Sequence, residues 1–174
     1  MYTAPWLRYF AAGTRLIVVF VIAHSATAQT LVPDGEWHHF GRDGANTKYS
    51  PLDQITAANF TELEIVWRWT SLSQSVAERN ERIRPSAFKS SPLMANGLVY
   101  VSTALGQAAA LDAGTGEPVW TYDPRIYDDM ERPPNMGWHH RGLSYWKDEE
   151  SDDARIFMSN HDLRLVALNE RTGA

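Results

Sequence analysis

The chain has 174 residues, a formal net charge of −5 and no cysteine. Its hydrophobic fraction of 44% and charged fraction of 21% are ordinary for a soluble globular protein, and it has no local excess of lysine and arginine of the kind that binds nucleic-acid phosphates. The absence of cysteine excludes a disulfide scaffold and thiolate metal sites.

The N-terminal residues differ in composition from the rest of the chain. Arg8 and Arg15 precede a short apolar run over residues 16–23, and Ala26-Thr27-Ala28 follows it. A positive start, a short apolar middle and a small-x-small end are typical of a secretory signal peptide. The alternative is a membrane anchor, but a spanning helix needs about 20 apolar residues. We therefore predict a signal peptide over residues 1–28, export to the periplasm, and no transmembrane span after cleavage.

The remaining residues, 29–174, are predicted to be all-β. The polar stretch over residues 71–85 predicts a loop. Short β-favouring segments separated by glycine-containing turns indicate a sandwich, a barrel or a propeller. The predicted strands in this region are Ile65–Trp69, Leu98–Ser102, Ala108–Leu111 and Pro118–Tyr122.

An internal repeat favours the propeller. Thr115-Gly116 aligns with Thr172-Gly173, and the preceding segments then align without a gap, so that residues 99–102 fall on residues 156–159. Each unit reads as an apolar strand, a polar turn and a second apolar strand, which is typical of a four-stranded blade. The spacing between the two units along the sequence exceeds the about 40–45 residues of a plain blade. We assign the additional residues to an insertion over residues 123–138.

Two tryptophans stand at corresponding places in the repeat. Trp120 follows the turn of the first unit, and Trp67 has the same relation to the blade before it. Because an indole ring buries a large area, we predict that each wedges between adjacent blades. The glycine of the Thr-Gly pair is predicted to make the tight turn with a positive φ.

Several segments resemble signature sequences of the quinoprotein dehydrogenases, which use pyrroloquinoline quinone (PQQ). The resemblance extends from about Trp37 to the C-terminus and is most similar to the glucose-dehydrogenase-like branch of the family. It implies a β-propeller, of which this chain holds about two four-stranded blades of an expected eight. The segments that carry it are Asn46–Ile55, Ser91–Thr103, Ala110–Gly116, Trp120–Pro124 and His140–Trp146.

The resemblance also implies an activity. It predicts a PQQ-dependent oxidoreductase that oxidises a small alcohol or sugar and passes the electrons to a quinone or a cytochrome. In the family, calcium acts as a Lewis acid on the quinone carbonyl and an aspartate takes the substrate proton. Those groups come from later blades, so we expect an N-terminal fragment without catalytic residues or metal ligands. A truncated gene product, a sequence fragment and one piece of a split enzyme all remain open.

Three residues match cofactor-binding positions of the family. Arg141 stands at an arginine that contacts the quinone oxygens, where its charge would stabilise the reduced form; the alternative is a surface arginine paired with nearby acids. Ser159 matches a hydroxyl that hydrogen-bonds a PQQ carboxylate, or is a strand-end hydroxyl satisfied by the backbone. Lys89 stands where well-known members have glutamate, and either pairs with a PQQ carboxylate or reflects a different way of binding.

Two further pairs of residues bear on the site. Asn135 and Met136 occupy the positions at which some relatives have an adjacent cysteine pair that forms a ring over the cofactor, a feature that glucose-dehydrogenase-like members also lack. His139 and His140 are neighbours and point to opposite sides of an extended segment. They are therefore a poor joint metal site, and we interpret them as polar positions at the end of a loop; the alternative is that one of them faces the central channel.

The alternative function is a non-catalytic exported propeller that binds or scaffolds other proteins. The segments around Tyr49 and Arg141 favour the enzyme, because a scaffold does not need them. The sequence contains no phosphate-binding glycine loop, nucleophile elbow or zinc motif that would indicate a hydrolase or a nicotinamide-dependent enzyme.

Overall fold

The computed structural model describes residues 32–85, 88–129, 134 and 137–174. The predicted signal peptide, residues 1–28, and the positions of Asn135 and Met136 lie outside the described residues. Within the described ranges, no helix combines the length and the apolar composition needed to cross a membrane.

The described chain forms two antiparallel sheets that do not close into a ring. The first sheet has the strand order β1-β2-β3-β4 and the second has the order β5-β6-β7. These are the two predicted blades, the second of which is represented by three strands. The strands are β1 (Leu93–Ala95), β2 (Leu98–Ser102), β3 (Ala108–Asp112), β4 (Pro118–Tyr122), β5 (Ser144–Lys147), β6 (Ala154–Ser159) and β7 (Leu165–Asn169). The helices are α1 (Leu72–Arg79) and α2 (Ile126–Asp129), and Phe60–Glu62 forms a single 3-10 turn.

The two sheets pack face to face over one core. Strand β6 shows the expected alternation, with Ala154, Ile156 and Met158 buried and the residues between them partly exposed. Because successive side chains of a strand point to opposite faces, this places one face of the second sheet against the first. The cluster joins Leu93, Tyr100, Ala110 and Trp120 of the first sheet to Tyr145, Ile156, Met158 and Leu168 of the second.

The tryptophan prediction is confirmed for Trp120, which lies in the core between the two sheets. Trp67 packs against the first sheet; the described residues include no blade before that sheet, so its place between two blades stays a prediction. The indole Nε1–H of Trp67 donates to the carbonyl of Ala113 at 3.0 Å, and that of Trp120 donates to the carbonyl of Glu170 at 2.7 Å. The turn glycines have φ values of +74° at Gly116 and +71° at Gly173, and a Cβ at either position would lie within 3 Å of the indole ring beside it. Glycine is therefore required for both the turn and the ring contact.

The predicted strand at Ile65–Trp69 is wrong. No strand lies there, although Trp67 and Trp69 pack against the buried face of the first sheet while Ile65 and Val66 are exposed. The alternating pattern is real and directs the tryptophans inward. The described residues offer this extended segment no neighbouring strand for a hydrogen-bonded ladder, so its side chains are ordered without β-pairing.

The prediction of a loop over residues 71–85 is also wrong, because this stretch contains α1. The Ser71 side chain accepts a hydrogen bond from the Ser73 backbone at the start of the helix, as N-cap serines do. One side of the helix is buried through Val76, which packs with Ile126 and Tyr127 of α2. The helix is thus stabilised by contact with the 123–138 insertion, which local sequence does not reveal.

Candidate functional site

The candidate cofactor residues meet at one edge of the two sheets. An isolated parallel bridge joins Ser91 to Gly142, so the segments that lead into β1 and β5 lie side by side. Lys89 and Arg141 are close to this bridge in the sequence. Because β6 is antiparallel to β5, its last residue, Ser159, returns to the edge at which β5 begins. The structure therefore brings all three predicted residues to the same end of the fold.

Lys89 and Arg141 are exposed, and neither has a hydrogen bond or an ion pair with any residue that the structure describes. Other arginines behave differently: Arg125 pairs with Asp128, and Arg155 pairs with Asp153. Among the described residues Arg141 therefore has no acidic partner, and both interpretations of Arg141, as a cofactor contact and as a surface arginine, stay predictions. With respect to the described residues, both cations are free to contact an anionic ligand.

Ser159 ends β6 as an exposed residue. Its carbonyl oxygen accepts a hydrogen bond from His140 Nε2 at 2.9 Å. Its hydroxyl makes no hydrogen bond within the described ranges, so the alternative of a hydroxyl satisfied by the backbone is not what the structure shows there. Ser102, the corresponding residue of the first repeat, is fully buried.

His140 lies in the loop just before β5, as the sequence predicts, but it is not a simple surface position. Its side chain is buried and contacts the Ser102 hydroxyl through Nδ1 at 2.8 Å. The Gly142 amide also donates to Nδ1, at 3.2 Å. Burial lowers the pKa of the imidazole below its usual value, the Ser159 carbonyl partly opposes this, and the charges of His161 and His139 lower it further. His140 is therefore a neutral polar link inside the site.

Asn160 is a residue that sequence reasoning missed. It is 6% exposed, and among the residues that the structure describes neither its amide nitrogen nor its amide oxygen has a hydrogen-bond partner. A Cβ added to Gly106 would lie 3.0 Å from the Asn160 side-chain oxygen and 3.3 Å from Ile126 Cδ1, so the Asn160 side chain lies between the Gly106 backbone and Ile126. Buried side-chain amides without partners are rare in proteins. In the sequence, Asn160 reads only as a turn residue after β6, so no local signal distinguishes it.

Histidine side chains are concentrated near this edge without forming a metal centre. Rings of Trp138 and His161 meet edge to face at 5.3 Å between centroids, and His139 lies 6.0 Å from His161. Within the described ranges, no group of three or more histidine, aspartate or glutamate side chains is arranged to hold a metal ion.

Comparison with known proteins identifies the family. The sequence of residues 37–174 matches the protein family described as "PQQ: Glucose/ethanol/alcohol dehydrogenase, beta-propeller domain". The alcohol dehydrogenase (quinone), dehydrogenase subunit, of Gluconobacter oxydans is 30% identical over 139 residues, which are 80% of this chain and 16% of the relative. The 1-butanol dehydrogenase (cytochrome c) of Thauera butanivorans is 32% identical over 139 residues, which are 80% of this chain and 18% of the relative.

Structural comparison agrees with these matches. The quinohemoprotein alcohol dehydrogenase of Comamonas testosteroni superposes with a TM-score of 0.60 and 31% identity over 79% of this chain and 18% of that one. Its sequence is 32% identical over 171 residues, which are 98% of this chain and 21% of the relative. The chain thus spans about a fifth of the length of the relatives it matches, and it belongs to the PQQ-dependent dehydrogenase family as part of the β-propeller domain.

Proposed function

We propose that these residues form part of the cofactor-binding edge of a PQQ-dependent alcohol dehydrogenase. The observation that supports the proposal is that the segments bearing Lys89, Arg141 and Ser159 lie at the same end of the two sheets, with all three side chains exposed and without a partner among the described residues. Family membership supplies the cofactor, because PQQ is the group that this propeller is known to hold. The alternative of a non-catalytic scaffold provides no reason for unpaired cations at this edge.

The residues at this edge fit PQQ chemically. PQQ carries three carboxylates and an ortho-quinone, so its rim needs positive charge and hydrogen-bond donors. Lys89 and Arg141 offer charge and Ser159 offers a hydroxyl, all three on exposed side chains.

Each residue has a distinct part in this proposal. When bound, PQQ would supply the oxidising quinone that accepts a hydride from the substrate. The Arg141 guanidinium donates hydrogen bonds to the quinone oxygens and stabilises negative charge that develops there. Lys89 pairs with a carboxylate, and the Ser159 hydroxyl donates to another. The chain thereby binds and orients the cofactor, while the calcium ligands and the proton-accepting aspartate are expected in other blades of the propeller.

The proposal extends to the substrate, the electron acceptor and the cellular location. The relatives described above are named alcohol dehydrogenases, so we propose a small alcohol as substrate and keep a sugar, as in the glucose-dehydrogenase-like branch, as the alternative. Their names include a quinone and cytochrome c, and we propose an acceptor of one of these kinds. A periplasmic location follows if residues 1–28 act as a signal peptide. Sequencing of the N-terminus of the exported protein tests that cleavage.

The cofactor role is tested by substituting Arg141 in the full-length protein expressed from its natural reading frame. Arg141→Ala is expected to weaken PQQ binding about tenfold to a hundredfold, the loss typical of a charged hydrogen-bonding partner. Arg155→Ala is the matched control, because Arg155 pairs with Asp153 near the start of β6, at the end away from Ser159. Equilibrium titration with PQQ gives both affinities. Equal affinities of Arg141→Ala and wild type would contradict the role, and a wild-type protein that binds no PQQ would favour the scaffold.

A further inference from the structure

A buried histidine connects the two sheets directly behind the candidate cofactor residues. The His140 side chain is 6% exposed, and its two ring nitrogens reach different sheets. Nδ1 lies 2.8 Å from the Ser102 hydroxyl at the end of β2, and Nε2 lies 2.9 Å from the Ser159 carbonyl oxygen at the end of β6. One imidazole therefore spans the junction between the blades.

The partners of the ring define its tautomer. The Ser159 carbonyl can only accept, so Nε2 carries the hydrogen, and the Gly142 amide can only donate, so Nδ1 is unprotonated. The Ser102 hydroxyl accordingly donates to Nδ1. The Ser90 and Ser102 hydroxyl oxygens are 2.8 Å apart. Because the single hydroxyl hydrogen of Ser102 goes to Nδ1, Ser90 is the donor and Ser102 the acceptor in this second hydrogen bond. Burial of the imidazole, which lowers its pKa, favours the same neutral form.

This chain of hydrogen bonds adjoins every predicted cofactor residue. Ser90 follows Lys89, His140 precedes Arg141, and Ser159 accepts the last hydrogen bond. Ser90 and His140 are buried, whereas Lys89 and Arg141 are exposed, as expected when neighbours along an extended segment point to opposite sides. The buried members thus support the backbone from which the exposed cations project.

We propose that His140 is a positioning residue that holds Arg141 and Ser159 in register across the junction of the two blades, so that both meet one bound PQQ. The inference rests on the proposed cofactor role of this edge. Binding side chains are effective when their supporting residues fix them beforehand, because less ordering is then left to the moment of binding. His140 provides that support through hydrogen bonds to both sheets.

The test compares PQQ affinity among variants of the full-length protein. His140→Phe keeps a ring of similar size and removes both hydrogen bonds, and we expect it to raise the Kd for PQQ about tenfold. His140→Gln is expected to recover most of the affinity, because its amide nitrogen can donate to the Ser159 carbonyl. The matched control is His139→Phe: His139 contacts the Gly137 carbonyl and stands outside the hydrogen-bond chain, so its Kd is expected to equal that of wild type.

A purely structural role gives a different result. It would lower the unfolding temperature of His140→Phe without changing the Kd of the folded protein, and that outcome overturns the proposal. If His140→Phe does not fold, Ser102→Ala removes the hydrogen bond by which His140 reaches the first sheet, and an unchanged Kd in that variant overturns the proposal as well. Wild-type protein that binds no PQQ overturns the proposed function as well as this inference.

The apoprotein offers a readout that does not involve the cofactor. Nitrogen-15 NMR of the histidine side chains is expected to show His140 as the neutral Nε2–H tautomer at neutral pH. An Nδ1–H tautomer, or a charged ring, would overturn the hydrogen-bond chain from Ser90 to Ser159. The spectrum of His140→Gln identifies the signal by its absence.

Discussion

Individual side chains at the edge of the sheets divide into buried supports and exposed donors. His140 and Ser102 are buried and hydrogen-bonded, whereas Arg141 and Lys89 are exposed and unpaired within the described residues. Sequence comparison with the family indicates the exposed pair, because their charge matches the chemistry of the cofactor. It does not indicate His140 or Asn160, since their importance depends on burial, and burial is a property of the packed molecule.

A glycine in the turn after β3 provides a prediction at this scale. Gly116→Ala is expected to lower the free energy of unfolding by about 2–4 kcal/mol, because the residue has a positive φ and its Cβ would overlap the ring of Trp67. Gly114→Ala in the same turn is the control, as the nearest atom to its Cβ is 3.4 Å away. Denaturant unfolding of both variants measures the difference. Equal losses would contradict the packing argument.

The buried imidazole predicts a pH dependence. The pKa of His140 is lowered in the folded state from its usual 6.5, so the unfolded chain binds more protons as the pH falls. The stability contributed by neutral His140 is therefore fully present above a pH equal to the usual pKa of 6.5, and it is lost as the pH falls below that value. Wild-type protein is expected to lose stability more steeply than His140→Gln between about pH 7 and pH 5. Parallel slopes of the two proteins in thermal unfolding would contradict this prediction.

The secondary-structure elements follow the sequence where the pattern is local. The strands β2, β3 and β4 lie where alternation and turn residues predict them, and the Asp112 and Asn169 side chains accept equivalent hydrogen bonds in the two turns of the repeat. Elements that depend on distant partners do not follow it. Helix α1 buries Val76 in a cluster that includes Ile126 and Tyr127 of α2, and the tryptophan-containing segment before the helix forms no strand.

The contact between the sheets predicts the effect of a tryptophan substitution. Trp120→Phe removes the hydrogen bond to the Glu170 carbonyl and part of the buried ring, and is expected to cost about 1–3 kcal/mol of stability. Trp146→Phe is the control, because Trp146 is 44% exposed in β5. Thermal unfolding distinguishes them. A loss in Trp146→Phe as large as that in Trp120→Phe would contradict the role of Trp120 at the junction.

At the scale of the molecule, two open sheets leave apolar surface uncovered. The segment over residues 40–66 exposes a series of large apolar side chains: Phe40, Tyr49, Leu52, Ile55, Phe60, Leu63, Ile65 and Val66. Exposed patches of this kind promote association in water. The relatives of this chain are about five times longer, and an open propeller retains free strand edges.

These surfaces predict the behaviour of the 174-residue chain studied by itself. We expect it to form oligomers that grow with concentration and to bind a hydrophobic dye. Size-exclusion chromatography over a concentration series provides the measurement. A compact monomer that binds no dye would show that the 40–66 segment is covered in solution.

The sequence by itself determines the blade repeat, most of the strands, the turn glycines and the family, because each depends on residue types at short spacing. Only the tertiary structure decides which residues are buried at the junction of the two blades. Segments around residues 90, 102, 140 and 160 are far apart in the chain and meet only when the sheets pack. The hydrogen bonds of His140 and the burial of the Asn160 amide result from this packing. Neither can be predicted from residue types at short spacing, because the contacting residues are far apart in the sequence.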